Sequence, residues 1–355
     1  MTRLLITGGF GFIGSHTIVA LQAAGFDDLV VVDDLRRSDP AMVRGVAALL
    51  GKVPVHESVD VTDVEALSGV FATHGPFDAV IHFAAYKSVR ESVLHPLQYY
   101  RNNVLGIVAL LEAMAASSCT RLVFSSSCTV YGHAATLPVS ELTPLRPAMS
   151  PYGATKQICE QIIADSITPV GGGAGSLTHA LSLRYFNPAG AHASAHIGEL
   201  PIGVPDNLVP FITQTAAGWR DRLSVFGSDY DTPDGTPVRD YLHVVDVANA
   251  HVAAVGHVLS GPAGREVVNL GSGAGHTVLE ALRAFEETTG LTVPYVLAPR
   301  RLGDVEQIWS SCEKAEALLG WRAGLGLPEI MASAWAWQQT LPRPVTGAAP
   351  SVTGR

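Results

Sequence analysis

The stretch Leu4-Leu5-Ile6-Thr7-Gly8-Gly9-Phe10-Gly11-Phe12-Ile13-Gly14-Ser15-His16 decides the fold. An apolar run long enough for one strand leads straight into a glycine loop, and Ser15-His16 carries the chain into a helix. Glycine permits the tight turn and lets backbone N–H groups come close to a pyrophosphate, while the helix N-terminus adds a partial positive charge. Any turn is rich in glycine, so the loop alone says little. Its weight comes from the strand before it, the helix after it and an acid at the end of the next strand.

Working outward, apolar runs at Leu4–Thr7, Leu29–Asp33, Val53–His56, Ala79–Phe83, Leu122–Ser126 and Ala180–Tyr185 are separated by helix-length segments. That alternation predicts an α/β fold, a doubly wound parallel sheet of Rossmann type. The unbroken apolar character of the runs suits strands covered by helices on both faces. Beyond about Asn187 the chain turns loop-rich and proline-rich, which predicts a smaller, interleaved C-terminal domain over a cleft. The expected division is 1–186 for the first domain, with parts of 241–275 packing back onto it, and 187–341 for the second. Thr168–Gly175 reads as a flexible surface insertion and 342–355 as a disordered tail.

Composition narrows the class. The chain has 355 residues, 47% of them hydrophobic, and a formal charge of −9. That is ample for a large core, and it argues against nucleic acid or an anionic membrane as a partner. No leader-like or bilayer-spanning segment follows Met1, so a cytoplasmic protein is expected. The four cysteines, Cys119, Cys128, Cys159 and Cys312, lie far apart, and their spacing gives neither a metal site nor a disulfide framework.

Asp33 ends the second apolar run about 20 residues beyond the loop, where a carboxylate accepts hydrogen bonds from an adenosine ribose. Such an acid repels a 2′-phosphate, so NAD is preferred over NADP, although Arg36 and Arg37 follow closely and guanidinium groups can hold a phosphate. Asp60 and Val61, after the third run, are placed to reach an adenine, and Asp60 would serve equally as a helix cap. Phe83, Ala84 and Ala85 follow the fourth run, where small residues let the backbone pass close to a cofactor. Lys87 and Asn102 belong to the same region, with a solvated lysine and a helix-surface amide as the plainer readings.

Downstream stands Tyr152-Gly153-Ala154-Thr155-Lys156, preceded by Ser150-Pro151, a cap and a first-turn proline. Four residues make one helical turn, so the phenol and the ammonium leave the same face, about 5–6 Å apart at Cβ. A free phenol, with a pKa of about 10, is a poor base at neutral pH. A neighbouring cation favours phenolate, so Lys156 is expected to bring Tyr152 into working range.

These motifs, with Phe124 to Gly132, Leu183 to His192, Asp206 to Pro210, Val238 to His243 and Ala298 to Asp304, resemble the extended short-chain dehydrogenase/reductase family, and within it the enzymes that invert C4 of a UDP-sugar. The resemblance covers nearly the whole chain and implies an NAD-dependent isomerase for UDP-glucose and UDP-galactose. It implies catalytic roles for Ser127, Tyr152 and Lys156. It adds Gly8, Gly11, Phe12, Ile13 and Gly14 to the cofactor set, then Asp34 and Leu35, then Tyr185 and Phe186. It assigns Asn187, Asn207, Leu208, Arg239, Arg301 and Asp304 to the UDP group, and Ser224, Val225 and Phe226 to the uracil. Ile308 falls where the family controls room for a 2-acetamido group. A homodimer through helices near Leu94–Ala115 and Pro151–Ser166 is implied too. N-acetylhexosamine or pentose UDP-sugars remain open as substrates. A 4,6-dehydratase is disfavoured because Cys128-Thr129, and no acid, follows Ser127, and a non-catalytic NAD sensor because Tyr152 and Lys156 are both present.

Overall fold

The computed structural model describes residues 1–167, 177–301 and 304–343. The insertion expected at 168–175 and nearly all of the expected tail lie outside them, as do residues 302 and 303.

The first half alternates as its apolar runs require. It runs β1 (Arg3–Thr7), α1 (Phe12–Ala23), β2 (Asp28–Val32), α2 (Pro40–Leu50), β3 (Val55–Glu57), α3 (Val64–His74) and β4 (Ala79–His82). Two short helices follow, α4 (Val89–Leu94) and α5 (Pro96–Tyr99), then a π-helical turn over Tyr100–Val104 that leads into α6 (Leu105–Ala116). β5 (Arg121–Ser127), α7 (Pro151–Asp165) and β6 (His179–Tyr185) complete this half. Within the described residues the strands read from sequence are all present, with ends shifted by a residue or two. The Ser150 hydroxyl accepts from Gly153 N (3.2 Å) and Pro151 takes the first turn, which places Tyr152 at the start of α7.

The second half holds β7 (Asn187–Ala189), α8 (Leu208–Ala216), β8 (Leu223–Phe226), β9 (Val238–Arg239), β10 (Tyr241–His243), α9 (Val244–Ser260) and β11 (Gly264–Leu270). It continues through β12 (His276–Thr277), α10 (Val278–Thr289), β13 (Tyr295–Ala298), β14 (Gln307–Ile308), α11 (Glu313–Leu319) and α12 (Leu327–Thr340). β11 does not stay with its sequence neighbours. It pairs with β6, closing a parallel sheet of order β11-β6-β5-β4-β1-β2-β3, and α9 packs on α1.

Alternate residues of one strand serve opposite cores. Leu4 and Ile6 join Val31, Ile81, Val123 and Leu183 on one face, while Leu5 joins Val30, Val80, Leu122 and Phe124 on the other. Both faces are dry, and this is why no polar alternation shows in the sequence. A third core, around Phe285, Ile330, Met331 and Val225, holds α8, α10 and α12 together. The strand order reverses between β1 and β4, and the crevice outside their carboxyl ends is where such a sheet takes a ligand.

Candidate functional site

At that crevice the glycine loop has no room for side chains. Gly8 sits at φ +66°, and a Cβ there would lie 2.6 Å from Ala84 N. A Cβ on Gly14 would lie 2.5 Å from Gly8 O. The loop and the turn after β4 therefore touch backbone to backbone. Helix α1 begins at Phe12 behind Gly11 with no side-chain cap, so its first N–H groups face the crevice uncapped. That is the cradle a pyrophosphate fits.

The Asp33 carboxylate accepts from Phe10 N and Leu35 N, both at 2.9 Å, and is nearly buried at 8% exposure. Burial raises its pKa above the ordinary carboxylate value, against those two backbone donors. The two arginines that favoured a 2′-phosphate are already engaged. Arg36 binds Asp34 (2.7 Å) and Asp60 (2.6 Å), and Arg37 binds Glu91 (2.6 Å) while lying 4.3 Å above the Tyr86 ring. The geometry fits NAD. Asp60 does not cap α3, whose cap is Asp63; it accepts from Thr62 N and Oγ1 instead. The Val61 side chain lies in the core.

The chemical end lies where β5 and β6 finish. Ser127 and Tyr185 are strand partners, and the Ser127 hydroxyl accepts from Thr129 Oγ1 (3.0 Å). Lys156 is buried; its Nζ donates to Ser125 O (2.7 Å) and lies 4.9 Å from the Phe124 ring centre and 6.0 Å from that of Tyr152. Burial pushes the lysine down to about 8. It pushes Tyr152 up to about 12, and the Ser127 hydroxyl is what opposes the rise. Lys156, expected to bring the tyrosine into working range, is not among the groups that lower it here; burial sets the direction of the shift. Tyr185 OH meets His251 Nε2 at 2.6 Å, and Phe83 packs on the same imidazole (4.7 Å).

Asn187, the strand partner of Tyr241, has a buried Oδ1 with no partner among the described residues. Phe186, Cys128 and Ile308 share one small core, and Ile308 is the strand partner of Arg239. Arg239 donates to Val238 O (2.8 Å) and pairs with Asp304. Farther out, the Arg301 guanidinium lies 4.3 Å over the Phe226 ring. Ser224 and Phe226 are partly exposed on one face of β8, whereas Val225 turns inward, so only its main chain is open to a base.

Two residues escaped the sequence reading. Glu199 Oε1 accepts from Lys87 Nζ (2.9 Å) and from Asn207 Nδ2 (2.6 Å), tying a cofactor candidate to the start of α8 beside Leu208. Nothing in its proline-rich loop signals this. Asn103 is buried and bonds Tyr86 N, Tyr86 O and Thr155 Oγ1; Asn102 lies beside it and donates to its Oδ1 (3.0 Å). A second amide directly after Asn102 was the available hint.

Residues 4–271 match the NAD dependent epimerase/dehydratase family. A UDP-glucose 4-epimerase of Yersinia pestis is 46% identical over 340 residues, covering 96% of this chain and 98% of its own. The UDP-glucose 4-epimerase of Stenotrophomonas maltophila, solved with bound NAD and formylated UDP-arabinopyranose, is 45% identical with a TM-score of 0.89, over 96% of this chain and 98% of that one. That of Bifidobacterium longum, in complex with NAD+ and UDP, is 42% identical with a TM-score of 0.88, over 95% and 98%.

Proposed function

The chain belongs to the NAD dependent epimerase/dehydratase family, and from that premise we propose that it interconverts UDP-glucose and UDP-galactose by inverting C4 through a 4-keto sugar. Bound NAD supplies a hydride acceptor that gives the hydride back, so there is no net oxidation. Tyr152 takes the proton from the sugar 4-hydroxyl and later returns it. Ser127, which faces Tyr152 and lowers its pKa, holds the reacting oxygen and relays the proton. Lys156, fixed on Ser125 O, presents its charge to the cofactor and the phenol. Asn187 Oδ1, Arg239 and Arg301 bind the UDP group, with Phe226 against the uracil. Residues 1–186 with α9 and β11 form the cofactor part, and the rest of 187–341 the UDP-sugar part.

The observation that carries the reading is what surrounds the base. Cys128 and Thr129 follow Ser127, and Thr129 donates to it. Neither offers the acid that elimination of a C6 hydroxyl needs, so a proton taken by Tyr152 goes back to the same oxygen. Purified protein given UDP-galactose without added NAD is expected to form UDP-glucose. Tyr152→Phe is expected to lose turnover by at least about 10²–10⁴-fold while still binding NAD and UDP. Unchanged turnover in that variant would sink the mechanism.

The protein works as a homodimer in the cytoplasm. Leu97, 82% exposed, and Leu94, 64% exposed, stand with Val93, Tyr100 and Ile158 on α4 to α7, an apolar face of the kind that a second copy buries. The cysteines are free, which suits a reducing compartment, and no helix among the described residues is long and apolar enough to cross a membrane.

A further inference from the structure

At the opposite end of the sheet from Ser127 and Tyr185, three ligating side chains meet. His179 opens β6, Glu266 lies on β11 and His257 on α9, and one nitrogen or oxygen from each lies within 4.8 Å of the others. We propose that His179, His257 and Glu266 form a binding site for one Zn2+ ion per chain.

The donor set is right for that ion. Two imidazoles and one carboxylate are ordinary zinc ligands, bound at about 2.0–2.2 Å in a roughly tetrahedral array with room for a fourth donor. Adjacent ligand atoms around such an ion stand about 3.3 Å apart. Here Glu266 Oε2 is 2.5 Å from His257 Nε2 and 3.8 Å from His179 Nε2, spacings that bracket that value. A small outward turn of His257 and an inward one of His179 bring all three into range.

His179 is the observation that separates this cluster from a plain His–Glu hydrogen bond. Its side chain is only 3% exposed, and Nε2 is buried without a hydrogen-bond partner among the described residues. That nitrogen faces Glu266 Oε2 at 3.8 Å, and His257 completes the cluster. Gly264, the strand partner of His179, leaves the space beside it open, and His257 and Glu266 are partly exposed, which gives an ion a way in. A metal here would staple α9 and the last strand of the sheet to β6, far from the reacting sugar.

The full-length protein, stripped with chelator and dialysed, is titrated with ZnCl2 by calorimetry, with Co2+ as a coloured substitute. One equivalent is expected, with a rise in Tm and a Co2+ spectrum of nitrogen and oxygen ligation without thiolate bands. His257→Gln and Glu266→Gln, both at partly exposed positions, are each expected to weaken zinc by more than about a hundredfold, beyond the loss of an outer-shell partner. Both variants keep epimerase turnover. Cys312→Ser keeps zinc binding. No binding at micromolar zinc, binding unchanged in both variants, or binding lost in Cys312→Ser would overturn the assignment.

Discussion

Replacing Lys156 with methionine should make the cofactor-free protein more stable while destroying its activity. In the folded chain burial drags the ammonium from 10.5 to about 8. At about 1.4 kcal/mol per tenfold, holding that charge costs on the order of 3 kcal/mol at pH 7. Its hydrogen bond to Ser125 O returns about 1 kcal/mol, which methionine forfeits. The variant is therefore expected to be about 2 kcal/mol more stable at pH 7. The direction with pH follows from proton counts. Between about pH 8 and 10.5 the unfolded chain keeps its lysine proton and the folded one has lost it, so stability rises with pH across that window. Below pH 8 both states are charged and the full cost is present. Only the native protein has this lysine, so the gap between variant and native should close by roughly 2 kcal/mol from pH 7 to pH 10. Urea unfolding of both proteins at the two pH values measures it, and a coupled UDP-galactose assay follows activity, expected to fall by about 10²-fold or more. Parallel pH dependences, or a variant less stable at pH 7, would refute the reasoning.

Three further outcomes can be checked. Asp33→Asn removes the charge that accepts from Phe10 N and Leu35 N, and should weaken NAD by roughly 10- to 100-fold, at about 1–3 kcal/mol, while reducing its preference over NADP; cofactor retained through purification and fluorescence titration read it. Leu97→Asp puts a charge on the apolar face of α5 and should yield a folded monomer by sedimentation; an unchanged dimer would place the interface elsewhere. Ile308→Gly opens the small core it shares with Cys128 and Phe186, and should raise turnover of UDP-N-acetylglucosamine relative to UDP-glucose, measured as the ratio of the two kcat/KM values.

Most of the fold was legible because its signal is local. An apolar run, a glycine turn and a capped helix each announce themselves within a few residues, and Ser150-Pro151 alone puts Tyr152 in a first turn. What escaped was long-range. Glu199 matters through Lys87, 112 positions away, and no periodicity connects them. The sign of the Tyr152 shift escaped for a related reason: spacing shows a neighbouring charge but not how deeply the phenol is buried. Val61 follows the third strand and Val225 lies on β8, yet which way each side chain turns is decided by the core it packs into.

The pairing of β11 with β6 bears on how the chain is made. Every residue of β6 is buried, and one of its two edges is satisfied only by residues 264–270. While a ribosome is still producing the segments between, that edge is a bare apolar template, the kind that recruits foreign strands. The cofactor-binding part cannot finish folding before a large share of the sugar-binding part has been synthesised. A nascent chain stopped short of residue 264 should depend on chaperones where the complete chain does not.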